Sequence, residues 1–208
     1  MTKSYYRKPR LGRAAKLFLA TLLIAALASG TSMQQAASRQ KSAVASKATG
    51  AEVAPRGQRT ANGITYGDWR KLCFKAGGAK TLCRTTITGT FETGQTAVRV
   101  DLIERESDRT ARLQLFVPVG MYLQVPVKLS VDQGKPYRVP YNWCLTNACV
   151  AADVANPNII KEMESGRMLT LEVVDSNLLS LTTSLPLAHF VSVHKGAPAQ
   201  TFEQDIDE

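Results

Sequence analysis

Residues 97–104 read AVRVDLIE, and this stretch decides the fold class because its polarity alternates with a period of two. The side chains divide between two faces: Val98, Val100 and Leu102 on one, and Arg99, Asp101 and Ile103 on the other. Such alternation is typical of a β-strand with one buried face, since successive side chains of a strand point in opposite directions. The stretch therefore predicts a strand of an antiparallel sheet with an apolar inner face.

The same kind of pattern continues on both sides of this stretch. Residues 111–118 alternate again, and runs rich in β-branched residues recur about every 8–15 residues. The other runs lie at 64–74, 81–89, 123–131, 137–141, 148–152, 167–175, 178–185 and 190–193. In the first of them, Trp69 and Leu72 are the expected core residues. This spacing predicts an all-β fold, an antiparallel β-sandwich over residues 63–196, with a barrel as the alternative.

One short helix is expected between the late strands. Asn156 suits the N-cap and Pro157 the first helical position, while Gly166 suits a left-handed residue just past the end. The apolar side chains that can face the core are Ile159, Ile160 and Met163. We therefore expect a helix over residues 158–165.

The charge is distributed unevenly along the chain of 208 residues, whose formal net charge is +9. Residues 1–62 hold 11 basic residues and one acid, whereas residues 63–208 hold 15 basic residues and 16 acids. The basic excess thus belongs to the N-terminal segment, and the foldable part is close to neutral. This distribution removes most of the support that the total charge gives to a nucleic-acid partner.

The N-terminus has the three parts of a secretory signal peptide. Residues 1–16 are basic, Leu17 to Ala28 form a 12-residue apolar run, and that run ends in a small-x-small site. We expect residues 1–28 to be a signal peptide cleaved between Ala28 and Ser29. The alternative is an uncleaved anchor, although a helix of 12 residues spans only about 18 Å, short of the bilayer core of about 30 Å.

Two polar segments are expected to flank the folded domain. Residues 29–62 are rich in Ala, Ser, Gln and basic residues, and they predict a flexible basic linker that cannot bury enough apolar surface to fold. Residues 197–208 contain four acids and no base, and they predict an acidic C-terminal tail. A weak contact between the basic linker and an anionic envelope surface is the functional interpretation of the linker.

Four cysteines, Cys73, Cys83, Cys144 and Cys149, all follow the export signal. An even number in an exported protein indicates structural disulfides, and four cysteines allow three pairings. We favour the local pairs Cys73–Cys83 and Cys144–Cys149, because each pair flanks a short turn. A zinc site is disfavoured, since nine and four intervening residues fit the usual ligand spacing poorly.

No catalytic, cofactor or metal site is predicted from the remaining polar residues. His189 and His194 would lie on opposite faces of a last strand, so they could not share a metal. Residues 77–81 lack the full phosphate-loop pattern and predict a hairpin turn. The acids at 101–108 alternate with arginines, and we interpret them as a solvated, ion-paired hairpin rather than a calcium loop.

Several motifs together resemble the invasion-associated locus B family of exported bacterial envelope proteins. The motifs are Tyr66-Gly67-Asp68-Trp69, Cys73 and Cys83, Val117-Pro118-Val119-Gly120, Val131-Asp132-Gln133-Gly134, Pro140-Tyr141, Cys144, Cys149-Val150-Ala151, and Ser184-Leu185 with Phe190. The resemblance covers about residues 64–193. It departs from the family at residues 186–189, which separate Leu185 from Phe190, and at Thr85 and Thr86, where a glutamine is expected.

This resemblance implies an immunoglobulin-like β-sandwich, a periplasmic or cell-envelope location, and a non-enzymatic role linked to host-cell invasion or envelope stress. It brings no catalytic residue and no cofactor. The first hypothesis is accordingly a binding module for an envelope or host protein, with partner and oligomeric state left open. The alternative is an accessory subunit of an envelope complex, anchored in the inner membrane by uncleaved residues 17–28.

The mature N-terminus distinguishes these two hypotheses. We expect intact-mass spectrometry of the protein purified from its native envelope to give a chain that begins at Ser29, because the small-x-small site follows a short apolar run. A chain that retains Met1 or Thr2 would contradict cleavage and support the anchor.

Overall fold

A computed structural model describes residues 53–77 and 79–204. The predicted signal peptide, its cleavage site at Ala28 and Ser29, linker residues 29–52 and tail residues 205–208 lie outside the described residues. The strands are β1 (Gly57–Thr60), β2 (Ile64–Tyr66), β3 (Arg70–Ala76), β4 (Leu82–Phe91), β5 (Thr96–Arg105), β6 (Arg112–Val117), β7 (Val127–Val131), β8 (Tyr137–Val139), β9 (Tyr141–Cys144), β10 (Cys149–Val154), β11 (Met168–Val174), β12 (Leu179–Pro186) and β13 (Gln200–Gln204). The helices are α1 (Pro157–Ser165) and α2 (Phe190–Lys195).

The strands form two sheets. The smaller sheet has five strands in the order β1-β12-β11-β7-β8. The larger sheet has eight strands, of which seven run in the order β13-β3-β4-β5-β6-β10-β9, while β2 pairs with β4. The all-β fold predicted from the alternating stretches is therefore confirmed.

The core lies between the two sheets, as a sandwich requires. On the larger sheet, Val98, Val100 and Leu102 are at most 1% exposed, as the alternation in AVRVDLIE predicts. They belong to one cluster with residues of the smaller sheet such as Leu129 and Leu171. The inner faces of both sheets thus form a single apolar layer.

Trp69 joins the end of the sandwich to helix α2. Its ring is 4% exposed and meets the ring of Phe190 edge-on at a centroid distance of 4.7 Å. Its indole Nε1–H donates to the carbonyl of Pro186 at 2.9 Å. Trp69 is therefore the core anchor that the sequence predicts, whereas Leu72 is only half-buried.

Ordered strands extend past both predicted boundaries of the domain. β1 lies within the segment expected to be linker and pairs in parallel with β12, and β13 lies within the expected tail and pairs in parallel with β3. Hydropathy does not reveal them, because β13 is exposed throughout and β1 nearly so. Backbone hydrogen bonds at the sheet edges hold these strands, rather than an apolar stripe.

The last predicted strand is wrong, because residues 190–195 form helix α2. Its buried residues are Phe190 and His194. Their spacing of four is typical of a helix, although a run of six residues is too short for this pattern to be predictive. His189 precedes the helix with a left-handed backbone, φ 65°. The described chain therefore has two short helices, where one was expected.

Helix α1 begins as predicted and ends differently. The Asn156 side chain accepts a hydrogen bond from the backbone N–H of Asn158, and Pro157 occupies the first turn. Gly166 is extended rather than left-handed, with φ −82° and ψ 174°. It is needed for space, since an added Cβ would lie 2.1 Å from Val131 Cγ1.

Both disulfides join neighbouring strands of the larger sheet. Cys73 of β3 is bonded to Cys83 of β4, and Cys144 of β9 is bonded to Cys149 of β10. Each pair occupies directly opposed positions in the strand register. This is the local pairing that the sequence analysis favours.

Among residues 53–77 and 79–204, the helices are too short and too polar to span a bilayer.

Trp69 and Trp143 provide a matched test of this packing. We expect Trp69→Phe to lower the free energy of unfolding by about 1–3 kcal/mol, because the partly buried carbonyl of Pro186 loses its donor. Trp143 is 43% exposed, so Trp143→Phe should change the free energy by no more than about 0.5 kcal/mol. Urea unfolding of the oxidised protein measures both values, and equal effects at the two positions would contradict the assignment.

Candidate functional site

The outer face of the larger sheet carries five arginines, which we call the arginine face. The strand register places their side chains on the side opposite the core, since directly opposed residues share a face. They are Arg70 of β3, Arg84 of β4, Arg99 and Arg105 of β5, and Arg112 of β6. Every cation contributed to this face by these strands is an arginine.

A single buried carboxylate organises the centre of the arginine face. Asp101 is 1% exposed although it belongs to the outer face of β5. Its Oδ2 lies 3.2 Å from Arg99 Nε and 3.9 Å from Arg84 Nη1, and Thr86 Oγ1 donates to its Oδ1 at 2.5 Å. The expected ion pairing of Asp101 with nearby arginines is confirmed, whereas its expected solvation is wrong, because the side chain is buried.

Aromatic rings support the two central guanidinium groups. The Arg99 guanidinium lies 3.6 Å from the centroid of the Phe116 ring, and that of Arg84 lies 5.7 Å from the centroid of Phe74. The Phe74 ring in turn stacks on Phe202 of edge strand β13 at 5.1 Å. These cation–π contacts and the shared carboxylate restrict both guanidinium groups to fixed positions.

The fixed guanidinium groups remain accessible. The side chains of Arg84 and Arg99 are 30% and 33% exposed, and Arg70, Arg105 and Arg112 are exposed. Asp101 offsets one of the five positive charges, which leaves four. A planar guanidinium with free N–H donors binds carboxylate or phosphate groups in a bidentate manner, and prior fixation reduces the entropy lost on binding.

The outer face of the smaller sheet differs in charge and in chemistry. Lys128 Nζ lies 3.1 Å from Glu172 Oε1, so these two charges offset each other. Beside them, the hydroxyl groups of Thr170 and Ser184 are hydrogen-bonded at 3.0 Å. Arg138, opposed to Lys128 in the register, adds one positive charge to this face, so the concentration of positive charge is greater on the larger sheet.

A second polar cluster surrounds His194 where helix α2 meets helix α1 and strand β5. His194 Nε2 lies 3.0 Å from Glu104 Oε2, and Nδ1 lies 3.3 Å from Glu164 Oε1. Glu164 also accepts from Lys195 Nζ at 2.7 Å. Lys71 Nζ donates to the carbonyls of His194 and Gly196 at 2.8 and 3.1 Å, and so holds the C-terminal end of α2.

This cluster separates the acids that the sequence analysis grouped into one hairpin. Glu104 contacts His194, whereas Asp101 lies on the arginine face. Glu106 and Asp108 are exposed in the turn after β5. The hydrogen bond with Glu104 raises the pKa of His194, and the same bond lowers the pKa of Glu104. The hydrogen bond with Lys195 is the main cause that lowers the pKa of Glu164.

The arrangement around His194 suits a structural role better than catalysis. Both ring nitrogens face carboxylates, so the imidazolium is stabilised and no nitrogen is left to accept a proton from a substrate. Ser192 Oγ donates to the carbonyl of His189 at 2.9 Å rather than to His194, so these residues do not form a nucleophile–base pair.

Metal ligation finds no support in the part of the chain that the structure describes. No group of three His, Cys, Asp or Glu side chains there has the geometry to hold an ion, and the four cysteines are all in disulfides. An apolar cavity of about 70 Å³ lies between the sheets, beside Ile64, Met121 and Leu181. Its lining is almost wholly apolar, and its polar side chains are those of Thr182 and Thr183, so it offers little to orient a ligand.

Local sequence patterns do not reveal the arginine face. From the order of residues alone, Arg99, Arg105 and Arg112 are expected to pair with neighbouring acids, whereas the strand register aligns them with Arg70 and Arg84. The available signal was the outer half of the alternation in AVRVDLIE, where Arg99 and Asp101 share a face. The position of Phe116 beneath Arg99 depends on strand pairing and has no local signal.

The His194 cluster makes stability depend on pH. Because the pKa of His194 is raised in the folded protein, its contacts stabilise the fold fully below the ordinary value near 6.5 and are lost as the pH rises through the raised value. We expect the free energy of unfolding, relative to His194→Gln, to be constant below about pH 6 and to decrease as the pH rises above the ordinary value of 6.5.

Urea unfolding at several pH values measures this difference. The exposed His189 provides the matched control, and His189→Gln should retain the pH dependence of the wild type. A difference between wild type and His194→Gln that stays constant as the pH rises above 6.5 would contradict the assignment.

Comparison with known proteins gives a consistent result. The sequence model of the invasion associated locus B (IalB) protein family matches residues 69–198. The crystal structure of invasion associated protein b from Bartonella henselae is similar in fold, with a TM-score of 0.56 and 23% sequence identity over 62% of this chain and 90% of that chain. A search of curated proteins gives no match. Because the family match spans more than half of the sequence, the chain belongs to the invasion associated locus B family.

Proposed function

We propose that this chain is an exported, non-enzymatic interaction module that binds a protein partner through the arginine face. Membership in the invasion associated locus B family makes it an invasion-associated envelope protein. The observation that carries the proposal is the fixed pair Arg84 and Arg99, held by Asp101 and by aromatic rings while still exposed. Arginine and aromatic residues on a preformed surface are the composition of protein-binding hot spots.

The chemistry of the other polar residues supports a binding role over a catalytic one. The thiol groups that could act as nucleophiles are consumed in disulfides, and both ring nitrogens of His194 face carboxylates. The disulfides and the His194 cluster stabilise the domain, which leaves the arginine face as the surface proposed for binding.

Export to an oxidising compartment is the third part of the proposal. Disulfides persist in the bacterial periplasm and at cell surfaces, and two of them connect strands of the sheet that carries the arginine face. The basic and apolar start of the sequence supports the same route.

Site-specific cross-linking in the native bacterium tests the proposed surface. A photoreactive amino acid replaces Gln114, which lies on the arginine face beside Asp101, or Ser130, which lies on the outer face of the smaller sheet. We expect a discrete adduct with a protein from position 114 and none from position 130. Absence of an adduct from position 114, or equal adducts from both positions, would contradict the proposal.

A further inference from the structure

We infer that the arginine face binds an acidic polypeptide segment in which carboxylates alternate with aromatic or aliphatic side chains. This inference rests on the proposed function and names the chemistry of the partner. The charge supports it directly, since five arginines and one shared carboxylate leave a positive surface that an anionic partner complements.

The arrangement of the arginines matches a segment that lies across several strands. A row is here a set of residues opposed to one another across neighbouring strands. Arg105 shares the first row with Phe74, and Arg84 shares the second with Arg112. Arg70 lies in the third row and Arg99 in the fourth. Each row of the outer face thus offers at least one guanidinium group. A series of carboxylates, rather than one isolated anion, can use all of them.

Apolar side chains lie at both margins of the arginine face. Phe202 is 41% exposed on the β13 side, and Trp143 and Val154 are 43% and 57% exposed on the side of β9 and β10. Val154 is opposed to Arg112 in the register, and Trp143 lies in the same row as Phe116. A partner with apolar side chains next to its carboxylates can therefore bury these margins.

The geometry favours a polypeptide over a lipid or a polysaccharide. The Phe116 ring lies directly beneath the Arg99 guanidinium, and Phe74 is occupied by Phe202 and Arg84. The face of Phe116 under Arg99 is therefore not free to stack on a sugar ring. The exposed rings Phe202 and Trp143 lie at opposite margins and do not form one apolar patch that could insert between acyl chains. The exposed apolar groups lie at the margins, where a polypeptide can reach them.

Binding of defined polyanions to the full chain tests the inference. The probes are a fluorescent glutamate–tyrosine copolymer, poly-L-glutamate, heparin and phosphatidylglycerol vesicles. The test variant is Arg105→Glu with Arg112→Glu, both exposed on the arginine face. The control is Arg59→Glu with Lys135→Glu, exposed residues of β1 and of the turn after β7, which changes the net charge equally. The basic N-terminal segment is present in every variant, so its contribution cancels.

We expect the copolymer to bind more tightly than poly-L-glutamate, because it adds aromatic contacts. The test variant should raise the dissociation constant by roughly tenfold or more, whereas the control should stay within about twofold of the wild type. Trp143→Ala should remove part of the preference for the copolymer. Circular dichroism establishes that each variant is folded.

Two results would overturn the inference. The first is an equal loss of copolymer binding in the test variant and in the control. The second is that heparin or vesicles bind more tightly than the copolymer and that the test variant loses this binding. That result would assign the arginine face to a polysaccharide or a lipid. The cross-linking experiment separates this failure from that of the proposed function. If the probe at position 114 still forms a protein adduct, only the inferred chemistry of the partner is wrong. If that probe forms no adduct, the proposed function is wrong as well.

Discussion

The carboxylate of Asp101 is the interaction on which the outer surface of this domain depends. It is buried on the face of the sheet that points away from the core, with Arg84, Arg99 and Thr86 as its partners. Without it, two guanidinium groups on adjacent strands would repel each other and lose their fixed orientation. Because both arginine side chains stay about one-third exposed, the carboxylate that links strands β4 and β5 also positions the groups proposed for recognition.

The other side of the same strands performs a different task. Val98, Val100 and Leu102 pack against the smaller sheet, and Glu104 ends the row by meeting His194 of helix α2. Strand β5 is therefore mainly polar on its outer face and apolar on its inner face, apart from Glu104. The disulfides add covalent links between β3 and β4 and between β9 and β10, so the sheet that carries the arginine face is cross-linked toward both sides.

Local patterns predict the inner half of this structure well. The period-two apolar residues give the sheets, Asn156 and Pro157 give the start of α1, and the cysteine spacing favours the pairs that form. The features that these local patterns do not predict depend on pairing between strands distant in sequence. The edge strands β1 and β13 bury little, helix α2 is too short to show a period, and the alignment of five arginines from four strands depends on register. The candidate site belongs to this second group, and for that reason the sequence shows its components but not their assembly.

The most direct test of the central claim is a map of where an acidic partner contacts the folded domain. Backbone amide chemical shifts of the isotope-labelled full chain, recorded during titration with the glutamate–tyrosine copolymer, provide that map. The account predicts that the largest shifts fall on the central strands β4, β5 and β6 and at the margins near Trp143 and Phe202. Shifts confined to the smaller sheet, or to the basic N-terminal segment with strands β4 to β6 unchanged, would contradict it.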